Sequence, residues 1–199
     1  MKSNLLPIIV LSLCCACEGV QPNQQQNNNR GADATTSEEM AQEAEPFAIV
    51  ELFTSEGCSD CPPAEELLNK ITLEAMANKT YVYPLAFHVD YWNGLGWKDP
   101  LSAPAFTRRQ RDYARAFRSG TVYTPQMVVN GAKEFSGGDE GAFWQAAREF
   151  LDIPAGVELD LNLEENTDTS VRLRYELSRV PENCVLNVAL IQRYAANEV

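Results

Sequence analysis

Histidine occurs once in this chain of 199 residues, at His88, and cysteine six times. A closed structural zinc site takes four ligands. Beyond the N-terminal segment only Cys58, Cys61 and His88 form an obvious set, which argues against zinc. Basic side chains are scarce too: 16 Lys and Arg against 28 Asp and Glu leave a net charge of −12. That balance argues against nucleic acid and anionic lipid as partners and otherwise favours solubility. Between Phe47 and Asn69 there is no Lys, Arg or His at all. After the first seventeen residues no apolar run is long enough to suggest a membrane span.

Cys14, Cys15 and Cys17 end the stretch LLPIIVLSLCCAC, which follows Lys2. The stretch is too short to span a bilayer stably and of the right length for an export signal. CCAC loosely resembles a bacterial lipobox with Cys17 as the lipidated residue, although Cys14 stands where leucine is usual. Residues 1–17 are therefore read as a signal peptide, with the periplasm or cell envelope as destination and a lipid anchor on Cys17 as one form of it. Residues 18–46 are rich in Gln, Asn, Thr and Glu and poor in large apolar side chains. They cannot bury enough surface to offset chain entropy and are read as a disordered tether. In an exported protein, paired cysteines default to a disulfide.

The remainder divides into an α/β unit over 47–153 and a small antiparallel β extension over 154–199. FAIVELF (47–53) is a compact apolar run that predicts a buried strand, and AEELLNKITLEAMAN (64–78) carries Leu67, Leu68, Ile71 and Ala75 at helical spacing. YVYPLAFHVDYW (81–92) predicts a second strand, with Pro84 marking an edge or a late start. Residues 102–120 predict a helix with Phe106, Tyr113 and Phe117 on one face and Gly120 as its stop. Asn130-Gly131 predicts a hairpin between two short strands, and Asp139 an N-cap for a helix over 139–152. Downstream, GVELDLNLEE, SVRLRYEL and CVLNVALIQRY predict a three-stranded meander with one buried face, Cys184 being an unpaired buried thiol.

Strand, CxxC, helix, strand, helix, then a hairpin preceded by proline is the order of a thioredoxin-like fold. VELFTSEGCSDCPPAEELL, LAFHVDYWNGLGWKDPLSAPAFTRRQRDYA and VYTPQMVVNG resemble the exported thioredoxin-like family catalogued as domain of unknown function 1223. Resemblance to thioredoxin-like proteins implies that Pro125 in YTPQMVV is cis and packs against Cys58 and Cys61. X-Pro bonds are cis in only a small minority of cases.

A cysteine near a helix N-terminus has its thiolate stabilised by backbone N–H groups and the helix dipole. Cys58, the more N-terminal, is the expected nucleophile and Cys61 the resolving partner, exchanging with protein or small-molecule thiols and disulfides. Pro62 and Pro63 fit best if the regular helix begins at Pro62. Glu56, Asp60, Glu65 and Glu66 oppose the thiolate, so the expected potential lies between those of thioredoxin and disulfide isomerase rather than at the strongly oxidising extreme. Thr124, Trp92 and Trp97 are candidate substrate contacts, although tryptophans in a glycine-containing loop commonly pack it onto the core. No cofactor is required for exchange. Two alternatives stay open: Cys58, Cys61 and His88 as ligands for copper or another soft metal, and a non-catalytic binding module in which the pair is a structural disulfide. His88 and Asp90 would share a face if the strand runs that far. Arg108, Arg111, Arg115 and Arg118 read as a solvated helix face.

Overall fold

The structure is a computed structural model that describes residues 8–15, 45–180 and 184–191. Cys17 and all but the last two residues of the 18–46 segment lie outside the described residues, as does the side chain of Cys184. The elements are β1 (Ile8–Cys15), β2 (Ala48–Thr54), α1 (Pro62–Asn78), β3 (Val82–His88), α2 (Pro104–Ala116), β4 (Gln126–Val129), β5 (Lys133–Ser136), α3 (Glu140–Leu151), β6 (Leu159–Asn166), β7 (Val171–Leu177) and β8 (Cys184–Ile191). A four-stranded sheet has the order β3-β2-β4-β5. β2 pairs with β3 in parallel and with β4 antiparallel, and β4 pairs antiparallel with β5. The fold is mixed α/β, consistent with a thioredoxin-like class.

β2 is the central strand, and every one of its residues is buried. A strand covered on both faces needs an almost continuous apolar run, which AIVELFT supplies with one conspicuous exception, Glu51. Ala48, Val50 and Leu52 face a core filled by Leu67, Leu68 and Ile71 of α1 and by Phe143, Ala146 and Ala147 of α3. Burying each leucine or isoleucine there contributes about 1.5–3 kcal/mol. On the other face, Phe53 stacks on Phe87 and meets Tyr113 of α2 edge to face, their centroids 5.6 and 6.0 Å away. Pro84 lies on β3, an edge strand of this sheet, where its missing N–H costs least.

Three expectations need correction. β3 ends at His88 rather than continuing to Trp92, because a turn follows in which Asn93 N–H donates to Asp90 O and Leu95 N–H to Trp92 O. α2 ends at Ala116, before Gly120. Phe117 stacks on Tyr113 with centroids 5.8 Å apart, and that anchor fixes the exit. Arg118 takes the left-handed position (φ 57°). Ser119 N–H then reaches Ala114 O and Arg118 N–H reaches Arg115 O, the paired bonds of a Schellman motif. Finally, β6 and β7 form a hairpin of their own, while β8 pairs antiparallel with β1 instead of completing a meander. IIVLSLCC and CVLNVALI are both apolar at nearly every position, whereas β6 and β7 alternate and remain largely exposed. Among the described residues no helix is long and apolar enough to cross a membrane.

Candidate functional site

The cysteine pair occupies the turn between β2 and α1. Cys58 N–H donates to Ser55 O at 3.0 Å and Cys61 N–H to Cys58 O at 3.2 Å, coiling the chain just before the helix. Cys61 is the N-cap and Pro62 the first helical residue, a position where proline removes a donor that would otherwise lack a partner. Cys58 and Cys61 are joined as a disulfide with Cα atoms 5.4 Å apart. Cys61 is wholly buried and Cys58 is 4% exposed, so Cys58 presents the more reachable sulfur.

The Thr124-Pro125 peptide is cis and brings the segment before β4 against the disulfide. Thr124 Oγ1 lies 3.3 Å from Cys58 Sγ. Trp92 Nε1–H donates to the same Thr124 oxygen at 2.9 Å. Gly137, after β5, donates its N–H to Pro125 O at 2.9 Å, and it packs so closely that a Cβ there would come within 2.9 Å of Pro125 Cβ. Beside this group the Tyr91 hydroxyl is buried, with no partner at bonding geometry among the described residues. Burial raises its pKa, an effect that the nearby Thr124 and Gln110 side chains partly offset.

His88 does not pair with Asp90. The strand has ended, and His88 Nδ1 meets Asp99 Oδ2 at 2.6 Å, while Asp90 takes the Thr107 hydroxyl. Asp99 is 1% exposed and also accepts from Glu56 N–H (2.9 Å) and Leu101 N–H (2.8 Å). Burial pushes the Asp99 carboxyl up, but the Glu56 amide, the His88 ring and the Leu101 amide together hold it below the ordinary range. Asp99 thus ties the 93–101 loop to the turn that carries Cys58. Trp97, 40% exposed, adds a second tie by donating to Glu56 Oε2 at 2.8 Å. Glu65 accepts from the buried Thr54 hydroxyl at 2.6 Å. Among the described residues no three His, Cys, Asp or Glu side chains are grouped to hold a metal ion. The two cysteine sulfurs are bonded to each other, and His88 Nδ1 is taken by Asp99.

Sequence reasoning passed over Asp99, Arg109 and Gln110. Glu51, 2% exposed within β2, receives Arg109 through two nitrogens at 2.5 and 2.7 Å. Tyr113 OH completes that cluster at 2.6 Å, and the Arg109 guanidinium lies over the Phe87 and Tyr113 rings. A carboxylate inside an apolar strand was the available signal, since buried acids are almost always paired. Glu51, Arg109 and Tyr113, with Ile49, Asn130 and Asn187, line a cleft of about 230 Å³ at the β2 end remote from the cysteines. The four arginines at 108, 111, 115 and 118 are exposed, as expected. Gln110 is fully buried and donates to Tyr123 O at 2.7 Å and Gln126 Oε1 at 3.0 Å, bracing the residues that flank Thr124.

Residues 49–199 match the model of the family described as protein of unknown function (DUF1223). Among solved structures, the chain is similar to the crystal structure of a protein from Agrobacterium tumefaciens, with 39% identity and a TM-score of 0.54. The match covers 62% of this chain and 54% of that one, so it spans about half of the solved relative. No curated protein matches. The cysteine turn, the loop that Asp99 ties to it and the strand after Pro125 all lie within the matched 49–199 span, and the chain belongs to the DUF1223 family.

Proposed function

We propose that this protein is an exported thiol-disulfide oxidoreductase acting through Cys58 and Cys61. The observation that carries the reading is a closed disulfide at the head of a helix, with a hydroxyl from the segment at Pro125 directed at the sulfur of Cys58. In the oxidising direction, a substrate thiolate attacks Cys58 Sγ, and the pair of electrons from the broken Cys58–Cys61 bond leaves on Cys61 Sγ, which takes up a proton. A second substrate thiolate then attacks the substrate sulfur of the mixed disulfide, releasing substrate disulfide and leaving both cysteines reduced. The reducing direction is the same sequence reversed, beginning from the Cys58 thiolate. Substrates are protein or small-molecule thiols and disulfides, and the setting is the periplasm or cell envelope, with Cys17 as the lipid-bearing residue where an anchor is used.

Equilibrium with glutathione redox buffers tests the reading. Exchange catalysts span about −270 to −120 mV, and the value expected here lies in the thioredoxin-to-isomerase part, about −270 to −180 mV. A value below about −300 mV would make the pair a structural disulfide, and the exchange activity would have to be given up. The Cys58→Ser variant is expected to lose exchange with an insulin or dithiol substrate entirely.

A further inference from the structure

The start of α1 is poorly equipped to stabilise a thiolate. A helix N-terminus does so through free backbone N–H groups, and Pro62 and Pro63 remove two of them. The next two, on Ala64 and Glu65, are directed to Cys61 O at 2.9 and 3.2 Å, and Cys61 N–H goes to Cys58 O. The titratable groups on the surrounding segments do not compensate. Glu56 and Asp60 flank Cys58 in its own turn, Glu65 rises from α1, and Asp99 is paired with His88. Tyr91 is kept neutral by burial. The carboxylates disfavour a second negative charge on sulfur.

What faces Cys58 Sγ instead is the hydroxyl of Thr124. An indole N–H can only donate, so Thr124 Oγ1 must accept from Trp92 Nε1 at 2.9 Å. The single Thr124 proton is then left for the sulfur 3.3 Å away. Gly57 allows this approach, since a Cβ there would stand 3.3 Å from Trp92 Cβ. A disulfide sulfur is a weak acceptor and a thiolate a strong, charge-assisted one, so the donated proton favours the reduced, ionised state selectively.

We propose that Trp92 is a positioning residue: by fixing the Thr124 hydroxyl it sets the ionisation of Cys58 in the reduced protein, in place of the donors lost at Pro62 and Pro63. The consequence for catalysis rests on the exchange reading, whereas the effect on ionisation does not. The test uses the full chain after reduction, with the pH dependence of Cys58 alkylation followed by mass spectrometry of the Cys58 peptide. Thr124→Val is expected to raise the Cys58 pKa by about one unit or more, a tenfold loss of thiolate below that pKa. Trp92→Phe, which keeps the ring and removes the donor, is expected to raise it in the same direction by a smaller amount, and Thr124→Ser to restore the parent profile. In glutathione buffers a tenfold destabilisation of the reduced form lowers the potential by about 30 mV. A Trp92→Phe profile that superimposes on the parent overturns the proposal, whatever Thr124→Val does. If the pKa moves as expected but no variant or parent turns over substrate, the exchange reading fails and this inference stands.

Discussion

At the scale of single residues, Asp99 does most to hold the site together. Its carboxylate is buried and accepts from two backbone amides on separate segments, and His88 closes the remaining side. Because the folded-state pKa is held below the ordinary value, the stability it supplies is fully present above the unfolded-state pKa of about 3.9. It is lost as pH falls through the lower folded-state pKa. Asp99→Asn replaces one acceptor oxygen by a donor that faces an existing donor, and should cost about 2–3 kcal/mol at neutral pH. Urea unfolding at pH 7 and again below pH 4 checks this: the gap between parent and variant should shrink with acid, and an unchanged gap would remove the carboxylate's charge from the account. None of this could be read from the sequence. Cys58, Cys61 and Pro125 announce themselves by spacing and residue type, whereas an aspartate eleven positions beyond the histidine it meets carries no local signature. Asp90, nearer in sequence, takes the Thr107 hydroxyl instead.

At the scale of elements, the order of strands and helices was legible because each announces itself locally. The apolar run of β2, the helical spacing of α1 and the Asp139 cap of α3, whose carboxylate accepts from Ala142 N–H at 2.9 Å, all behave as their residue types require. So does the hairpin turn: Asn130 and Gly131 both have positive φ, 47° and 66°, as a type I′ turn demands. What the pattern could not show is that the Asn130 side chain reaches back to Ile49 N–H at 2.6 Å and Phe47 O at 3.1 Å, closing the start of β2. Element ends were misplaced where tertiary contact decides them, as at Phe117. The passage after β5 illustrates how packing reaches the site. A Cβ on Gly137 would stand 2.7 Å from Leu52 Cδ1 and 3.1 Å from Ala64 Cβ as well as against Pro125. Three elements would have to give way together, so Gly137→Ala should destabilise the fold by about 1–3 kcal/mol, read by chemical denaturation. It should also change the rate at which Cys58 exchanges, because Thr124 is carried on the displaced segment. A variant as stable as the parent would mean that the cluster is softer than its spacing indicates.

At the scale of the whole molecule, charge is the property that should select among disulfides if exchange proceeds at Cys58. The net charge is −12, and the segment from Phe47 to Asn69 has no basic residue, while four of its five acids, Glu56, Asp60, Glu65 and Glu66, lie within five residues of a cysteine in sequence. Arg109, half-buried and paired with Glu51 at the far end of β2, does not offset them at the sulfur. This asymmetry was legible from composition alone, whereas the separation of β8 from the β6–β7 hairpin was not, since strand pairing depends on which apolar runs meet in space. The field around the site should repel anionic disulfides and attract cationic ones, and salt should screen both effects over a Debye length of about 10 Å at 0.1 M. If exchange proceeds at Cys58, the second-order rate with glutathione disulfide, which is anionic, should rise several-fold as salt is added from low to physiological ionic strength. The rate with cystamine, which is cationic, should fall over the same range, and that with neutral hydroxyethyl disulfide should hardly change. Stopped-flow tryptophan fluorescence is a suitable readout, since Trp92 reaches Cys58 through a single hydroxyl. Opposite slopes for the two charged reagents would place the exchanging sulfur inside the acidic field. Parallel slopes would show that the carboxylates, three of the four committed to neighbours or partly covered, do not control access, and substrate choice would then rest on the shape of the Trp92 and Trp97 loop.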